Sequence, residues 1–432
     1  MISGIVIVCV AMIVAILPAI VGRFIKSSVV KGLLSAASLV VFFIAGVAAA
    51  LILPDFLGPN GVWLAFMLCG VTFVLCMLPC WKPFDAKTRR LVMLCTVGAA
   101  VLVTAVFAGP NIYSNSLPEA PGEDLNLYEY MPFGDPRIPN SADNTLAKSL
   151  DEPSTLKLEG DLPHLDGATA LYPLYSAFVR ATYPEGGYDP YDKEMSEESI
   201  VLCSRTSAAF ESLIDGHADM VFLAGVSDEQ RALAESRGLT LELTPVGREA
   251  FVFFVNRRNA MEGLSVEDIH SIYSGAVNNW SEVGGKNAEI RAYQRPDDSG
   301  SQTMLKQVMG DIPLIAAPQE DVYGTMMGLY TRVAGYKNYE NSLGYSFLFY
   351  IRDMIGKNQV KFLSIDGVAP TQENIANGTY PFADSFYVVT VRREDEYLNA
   401  GRTGQIDRLL AWILSPQGQS LVEKTGYVAL ER

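Results

Sequence analysis

Cysteine and histidine are scarce, and basic residues are scarce over most of the chain. Of six cysteines, Cys9, Cys69, Cys76, Cys80 and Cys95 fall in the first hundred residues and only Cys203 falls later. No disulfide can form within the later part, so its fold must rest on its own core. The three histidines, His164, His217 and His270, share no metal-ligand spacing with Cys203, which excludes a zinc site of ordinary pattern. After residue 108 there are 26 Lys and Arg against 46 Asp and Glu. Nucleic acid is thereby excluded as a partner, because so acidic a domain lacks the stripe that neutralises phosphates. The apolar runs before residue 108 contain no Asp, Glu or His, the usual marks of an ion or proton pathway.

What is present divides the 432 residues near position 110. A bilayer core about 30 Å thick needs about 20 apolar residues in a helix. Four stretches meet that length, from about Ile2 to Val21, Val29 to Leu53, Gly61 to Trp81 and Leu91 to Phe107. They predict an α-helical transmembrane bundle of four spans, residues 1–108, acting as an anchor or docking bundle. Arg23, Lys26 and Lys31 sit in or beside the first connection and Lys82, Lys87, Arg89 and Arg90 in the third, whereas the second holds only Asp55. Basic residues stay on the cytoplasmic side. The expected localisation is therefore a multi-pass cell-membrane protein with its N-terminus and its C-terminal domain on the extracellular side. The first run has no basic residue before it, which favours an uncleaved span over a signal peptide.

Residues 109–153, rich in Pro, Asn, Ser, Asp and Glu, read as an extracellular linker, packed in part on the domain surface through LNLYEYMPF. Beyond it, short apolar runs alternate with helical patterns. Leu156–Leu158, Met220–Ala224 and Ala250–Val255 predict strands, and Leu171–Thr182 and Ala208–Gly216 predict helices. The alternation argues for α/β layering with mainly parallel strands, and the length suffices for two lobes.

Three segments share one design. Gly167-Ala168-Thr169-Ala170, Ser204-Arg205-Thr206-Ser207 and Arg295-Pro296-Asp297-Asp298-Ser299-Gly300-Ser301 each place small or hydroxyl residues before an amphipathic helix. First-turn amides have no partner inside the helix, and the helix dipole is positive at that end, so both favour an anion. If the three ends meet in a cleft, with Arg295 adding a planar fork of donors and Asp297 orienting it, they form a site for a tetrahedral oxyanion. Taken singly, each segment is better explained by an ordinary helix cap.

At these residues the chain resembles the phosphate-binding protein of ABC-type phosphate importers, within the periplasmic binding protein-like (type 2) superfamily. The resemblance runs from about Leu156 to Val428 through DGATALYPLY, SRTSAAFESLIDGHADMVF, AFVFFVNRRN, IHSIYSGAVNNWSEVGG, RPDDSGSQ, NSLGYSF and LLAWILSPQGQSLVEKTGYVAL, in that order. It implies a two-lobed α/β domain over 154–432. One lobe would comprise 154–252 and 385–432 and the other 255–382, with a hinge near Val255 and Ala383. It implies ligand contacts at Thr169, Ala170, Thr206, Arg295, Ser299, Gly300 and Ser301, and inorganic phosphate or a similar oxyanion as ligand. Through the four helices, an ABC-type permease or a membrane signalling protein is the expected further partner. There is one departure: where the family carries an acid after the strand Asp219–Leu223, this chain reads Ala224-Gly225-Val226. That carboxylate accepts the proton of a protonated phosphate, so its loss removes the expected basis for rejecting sulfate.

The rival class is an enzyme. Asp298-Ser299-Gly300-Ser301 superficially resembles a serine-protease nucleophile segment, with His270 or His217 as base, but the rest of that signature is missing. The expectation is a non-enzymatic, cofactor-free, membrane-anchored solute-binding protein. The alternative is an interaction or sensory module that keeps the scaffold with altered or lost anion binding.

Overall fold

The computed structural model describes residues 125–139, 141–196, 199–335 and 339–430, all within the compact unit Glu119–Arg432. The four expected spans lie outside the described residues. Among the described residues no helix is long and apolar enough to cross a membrane.

Apolar runs flanked by turn formers become ten strands among the described residues. In chain order these are β1 (Leu165–Gly167), β2 (Met220–Leu223), β3 (Thr240–Asn256), β4 (Gly263–Leu264), β5 (Arg291–Ala292), β6 (Ser342–Phe347), β7 (Val360–Phe362), β8 (Ser364–Ile365), β9 (Ala383–Arg393) and β10 (Glu396–Tyr397). Eight join a sheet of order β1-β2-β9-β3-β6-β5, with β10 on β9 and β7 on β3, while β4 and β8 pair separately. The expectation of mainly parallel strands is corrected. β1–β2, β5–β6 and β4–β8 are parallel, but β2–β9, β3–β9 and β3–β6 are antiparallel. The cause is that the chain returns from the second lobe as β9, which runs opposite to β2 and to β3.

β3 is the spine of the molecule. Its residues Thr240–Ala250 pair with β9, and Phe251–Val255 pair with β6. The strand thus leaves one lobe for the other between Ala250 and Phe251, earlier than Val255. The return is at Ala383, beside the bond from the Phe251 amide to the Phe382 carbonyl at 2.9 Å. In one lobe the helix Tyr172–Thr182 buries Leu174, Tyr175 and Phe178 completely. Each such side chain contributes about 1.5–3 kcal/mol. The helices Thr206–Ile214 and Pro416–Thr425 add Phe210, Leu213 and Leu421 to the same core.

Leu156–Leu158 is not a strand. The segment is coil with Leu156 and Leu158 buried and Lys157 exposed, the Leu158 amide donating to the Thr182 carbonyl at a helix end, 2.8 Å away. The linker from Leu125 onward is packed rather than free: Leu127, Tyr130 and Met131 are buried. The Ser176 hydroxyl donates to the Tyr130 carbonyl. Tyr191 Oη donates to the Leu125 carbonyl at 2.8 Å and accepts from the Leu127 amide at 2.9 Å.

Candidate functional site

The three helix starts meet at one cleft of about 450 Å³, and all seven expected contacts, Thr169, Ala170, Thr206, Arg295, Ser299, Gly300 and Ser301, line it. β1 delivers the first start. After Gly167 the chain makes one 3-10 turn, Thr169–Leu171, before the helix Tyr172–Thr182, and Ala168 ahead of that turn supplies no side-chain cap. The second start, at Thr206, is preceded by Arg205 and also has no side-chain cap. The first-turn amides at both places therefore keep their capacity to donate. Only the third start is capped in the ordinary way, by Ser299 Oγ accepting from the Gln302 amide at 3.3 Å.

The two lobes touch at the site. Ser207 Oγ of the second start donates to the Asp298 carbonyl of the third. A Cβ built on Gly300 would lie 2.6 Å from Thr206 Oγ1, so only glycine permits this approach.

Arg295 makes no ion pair among the described residues. Its Nε donates to the Tyr323 carbonyl at 2.8 Å, one Nη to Ser301 Oγ at 3.1 Å and the other to the Gly324 carbonyl at 3.0 Å. Its amide donates to Tyr345 Oη at 2.9 Å and to Gln302 Oε1 at 3.0 Å, which locks the loop. Three of the five guanidinium N–H bonds are thus used on neutral acceptors. Burial, and to a lesser degree the nearby Arg205 charge, lowers the guanidinium below its ordinary value. Asp297 does not orient it, contrary to expectation. Asp297 is exposed and pairs with Lys306 at 3.1 Å, because the loop turns its side chain outward.

Three residues that the sequence pattern did not single out shape the site. Buried Asp166 accepts from the Gly167 and Ser204 amides, at 2.7 and 2.8 Å, and from the Ser204 hydroxyl, tying the first helix start to the second. Burial raises its carboxyl, against the opposing effect of these bonds. Arg205 stands in the cleft wall with φ 77° and ψ 172°, a region that is almost glycine-only and costs of order 1–3 kcal/mol. Glu249, on β3 beside the crossover, lines a small apolar cavity together with Ala168, Ala170 and Ala224. Its carboxylate oxygens accept from the Ala250 and Phe349 amides at 2.8 and 3.2 Å. Burial pushes this carboxyl up to about 8. Asp166 lies within β1, and neither its burial nor the backbone of Arg205 nor the surroundings of Glu249 leaves a local signature.

No histidine lines the cleft among the described residues. His270 lies on the helix Val266–Tyr273 with Nε2 2.8 Å from the Val308 carbonyl. Burial holds the Cys203 thiol up at about 12, so at neutral pH it is not a thiolate nucleophile.

Comparison with known proteins gives relatives that are binding proteins, not enzymes. The phosphate-binding protein PstS of Bacillus subtilis is 25% identical over 275 residues, covering 63% of this chain and 81% of that protein. PstS of Borreliella burgdorferi is 24% identical over 248 residues, covering 54% and 85%. Among solved structures, an ABC-type phosphate transport receptor from Vibrio cholerae is 19% identical, covering 62% of this chain and 100% of that one, with a TM-score of 0.44. The model of the PBP superfamily domain matches residues 164–417, well over half of the chain and every part of the cleft but Leu125 and Leu127, and the protein belongs to that superfamily.

Proposed function

We propose that this protein is a membrane-anchored, extracellular solute-binding protein that captures phosphate or a related oxyanion, for an ABC-type importer or for sensing. The observation that carries this reading is Arg295. A half-buried guanidinium held only by neutral acceptors retains an uncancelled charge, and it does so beside two helix starts whose amides are uncapped. Thr169, Ala170, Thr206, Ser299, Gly300 and Ser301 would supply the remaining donors. The lobes would part and close about β3 and β9, and no bond of the ligand would be made or broken. The names of the relatives, all phosphate-binding proteins, favour the same ligand.

The membrane placement rests on the four apolar stretches and on their flanking Lys and Arg. With about 20 more acidic than basic groups after residue 108, long-range attraction of an anion is weak, so recognition depends on short-range donors in the cleft. One observation favours the sensory alternative: Leu125 and Leu127, in the linker, form part of the cleft wall. A change in the cleft would therefore reach the segment leading to the apolar region.

Titration calorimetry of the full chain in detergent, with phosphate and with sulfate, tests the reading. Phosphate is expected to release heat and Arg295→Ala to abolish it. Silence toward both anions in the folded wild type would leave only the interaction module. Without an acid at Ala224, sulfate is expected to bind within about tenfold of phosphate, a difference of about 1.4 kcal/mol or less.

A further inference from the structure

The cleft is larger than a free oxyanion needs. Five heavy atoms, each given at most a water molecule's share of roughly 30 Å³, fill about 150 Å³, whereas the cleft measures about 450 Å³. Beside the polar groups, Leu125, Leu127, Tyr191, Met326, Met327 and Tyr350 line the same cleft, an apolar and aromatic surface. Small-molecule sites combine such apolar walls with a few convergent polar groups.

Arg205 lines the same cleft. Its side chain has no ion-pair or hydrogen-bond partner among the described residues, yet its φ of 77° is one that an arginine adopts only at a cost. Glycine would fill that position without strain. The side chain must therefore supply something that a glycine cannot, and in this cleft that is a second guanidinium close enough to Arg295 to act on its charge. Two acids, Asp192 and Asp298, also line the cleft, and Asp298 acts on the Arg295 charge in the opposite sense to Arg205. Asp192 accepts from the Ser199 hydroxyl, and no ion pair joins Asp192 or Asp298 to Arg205 among the described residues. With two guanidiniums, and with Ala224 where a proton-accepting carboxylate would discriminate by protonation state, the site favours a fully deprotonated dianion.

Resting on the oxyanion reading of this site, we infer that the ligand is a phosphate monoester rather than inorganic phosphate. The phosphoryl dianion is held by the helix starts, Arg295 and Arg205, and the small, largely apolar organic group lies against Tyr191, Tyr350 and the Leu125–Leu127 strap.

Calorimetry of the full chain in detergent at pH 7, with inorganic phosphate and phenyl phosphate as probes, tests this. Phenyl phosphate is expected to bind at least tenfold more tightly than phosphate. Arg205→Gly is expected to lose at least tenfold in phenyl phosphate affinity while its Tm rises, because glycine relieves the backbone without unfolding anything. Arg295→Ala is expected to bind neither probe. Phosphate binding with phenyl phosphate equal or weaker would overturn the monoester while leaving the oxyanion reading intact. A folded wild type that binds neither probe would overturn both. Unchanged phenyl phosphate affinity in R205G would overturn the role given to Arg205.

Discussion

Gly300 is one of the places where the two lobes meet at the cleft, and its missing side chain lets it approach Thr206. Adding one methyl group places a Cβ 2.6 Å from Thr206 Oγ1. The position opens a helix, where alanine is preferred to glycine by up to about 1 kcal/mol, so the variant is not expected to unfold. Gly300→Ala should therefore leave Tm unchanged or raised and weaken phosphate binding at least tenfold, about 1.4 kcal/mol. Calorimetry and a thermal melt on one preparation decide it, and unaltered affinity would mean that the closed contact is not needed for capture. Glu249 makes a second residue-scale prediction. Its carboxyl, near Arg352, Asp353 and Asp384, is pushed up to about 8 by burial. In the unfolded chain it titrates near the ordinary value of roughly 4.3. Below that pH both states hold the proton and the group does not disfavour folding. From there up to about 8 the folded state keeps a proton that the unfolded chain has released, so stability falls as pH rises, and above 8 the loss levels off with the charge buried. Tm measured from pH 5 to pH 8.5 should decline more in the wild type than in Glu249→Gln. Parallel curves would show that Glu249 ionises in the fold as it does in water.

At the scale of elements, β3 couples packing to the site. The strand shifts register between Pro245 and Gly247. A Cβ on Gly247 would meet the Phe386 ring at 2.5 Å and Val422 Cγ1 at 3.0 Å. Phe386 packs on Tyr427, with centroids 5.0 Å apart, and Tyr427 Oη donates to the Ala170 carbonyl in the first helix start. Gly247→Ala should cost about 1–3 kcal/mol by overpacking, and the displaced ring should also weaken anion binding. A urea midpoint unchanged within error would show that the ring has room to yield. The same strand marks the limit of what local pattern conveys. The apolar runs at Met220 and Ala250 announce strands, and the hydroxyl-rich segments before amphipathic runs announce all three helix starts. Which strand lies beside which depends on long-range pairing, and there the expected parallel order gave way to a mixed sheet. Leu156-Lys157-Leu158 alternates like a strand, but its amide is taken by a helix end. Asp297 reads as a natural partner for Arg295 because they are two positions apart, yet the turn sends one side chain into the cleft and the other to Lys306. Arg205 was illegible as a strained residue because a positive φ is the conformation that arginine's own propensities disfavour.

At the scale of the whole molecule, the proposed capture outside the cell requires the acidic domain and the basic connections to lie on opposite sides of a bilayer. The physical basis is the distribution of charge in the short connections: Lys82, Lys87, Arg89 and Arg90 in the third, Arg23, Lys26 and Lys31 about the first, and Asp55 alone in the second. Membrane-impermeant maleimide labelling of intact cells tests this directly, in a background where Cys9, Cys69, Cys76, Cys80 and Cys95 are replaced by serine or alanine. Cys203 can remain, since it is buried in the domain and its thiol is held neutral. Glu119→Cys, ahead of the cleft strap, is expected to label in intact cells, and Asp85→Cys, in the third connection, only after the membrane is permeabilised. The reverse pattern would place the cleft in the cytoplasm, where a solute-capturing role for an importer has no physical sense. Labelling of both in intact cells would mean that the apolar stretches do not cross in the order their charges indicate. The two positions lie on either side of the fourth apolar stretch, so one pair of variants reads whether that stretch separates the basic loop from the binding domain.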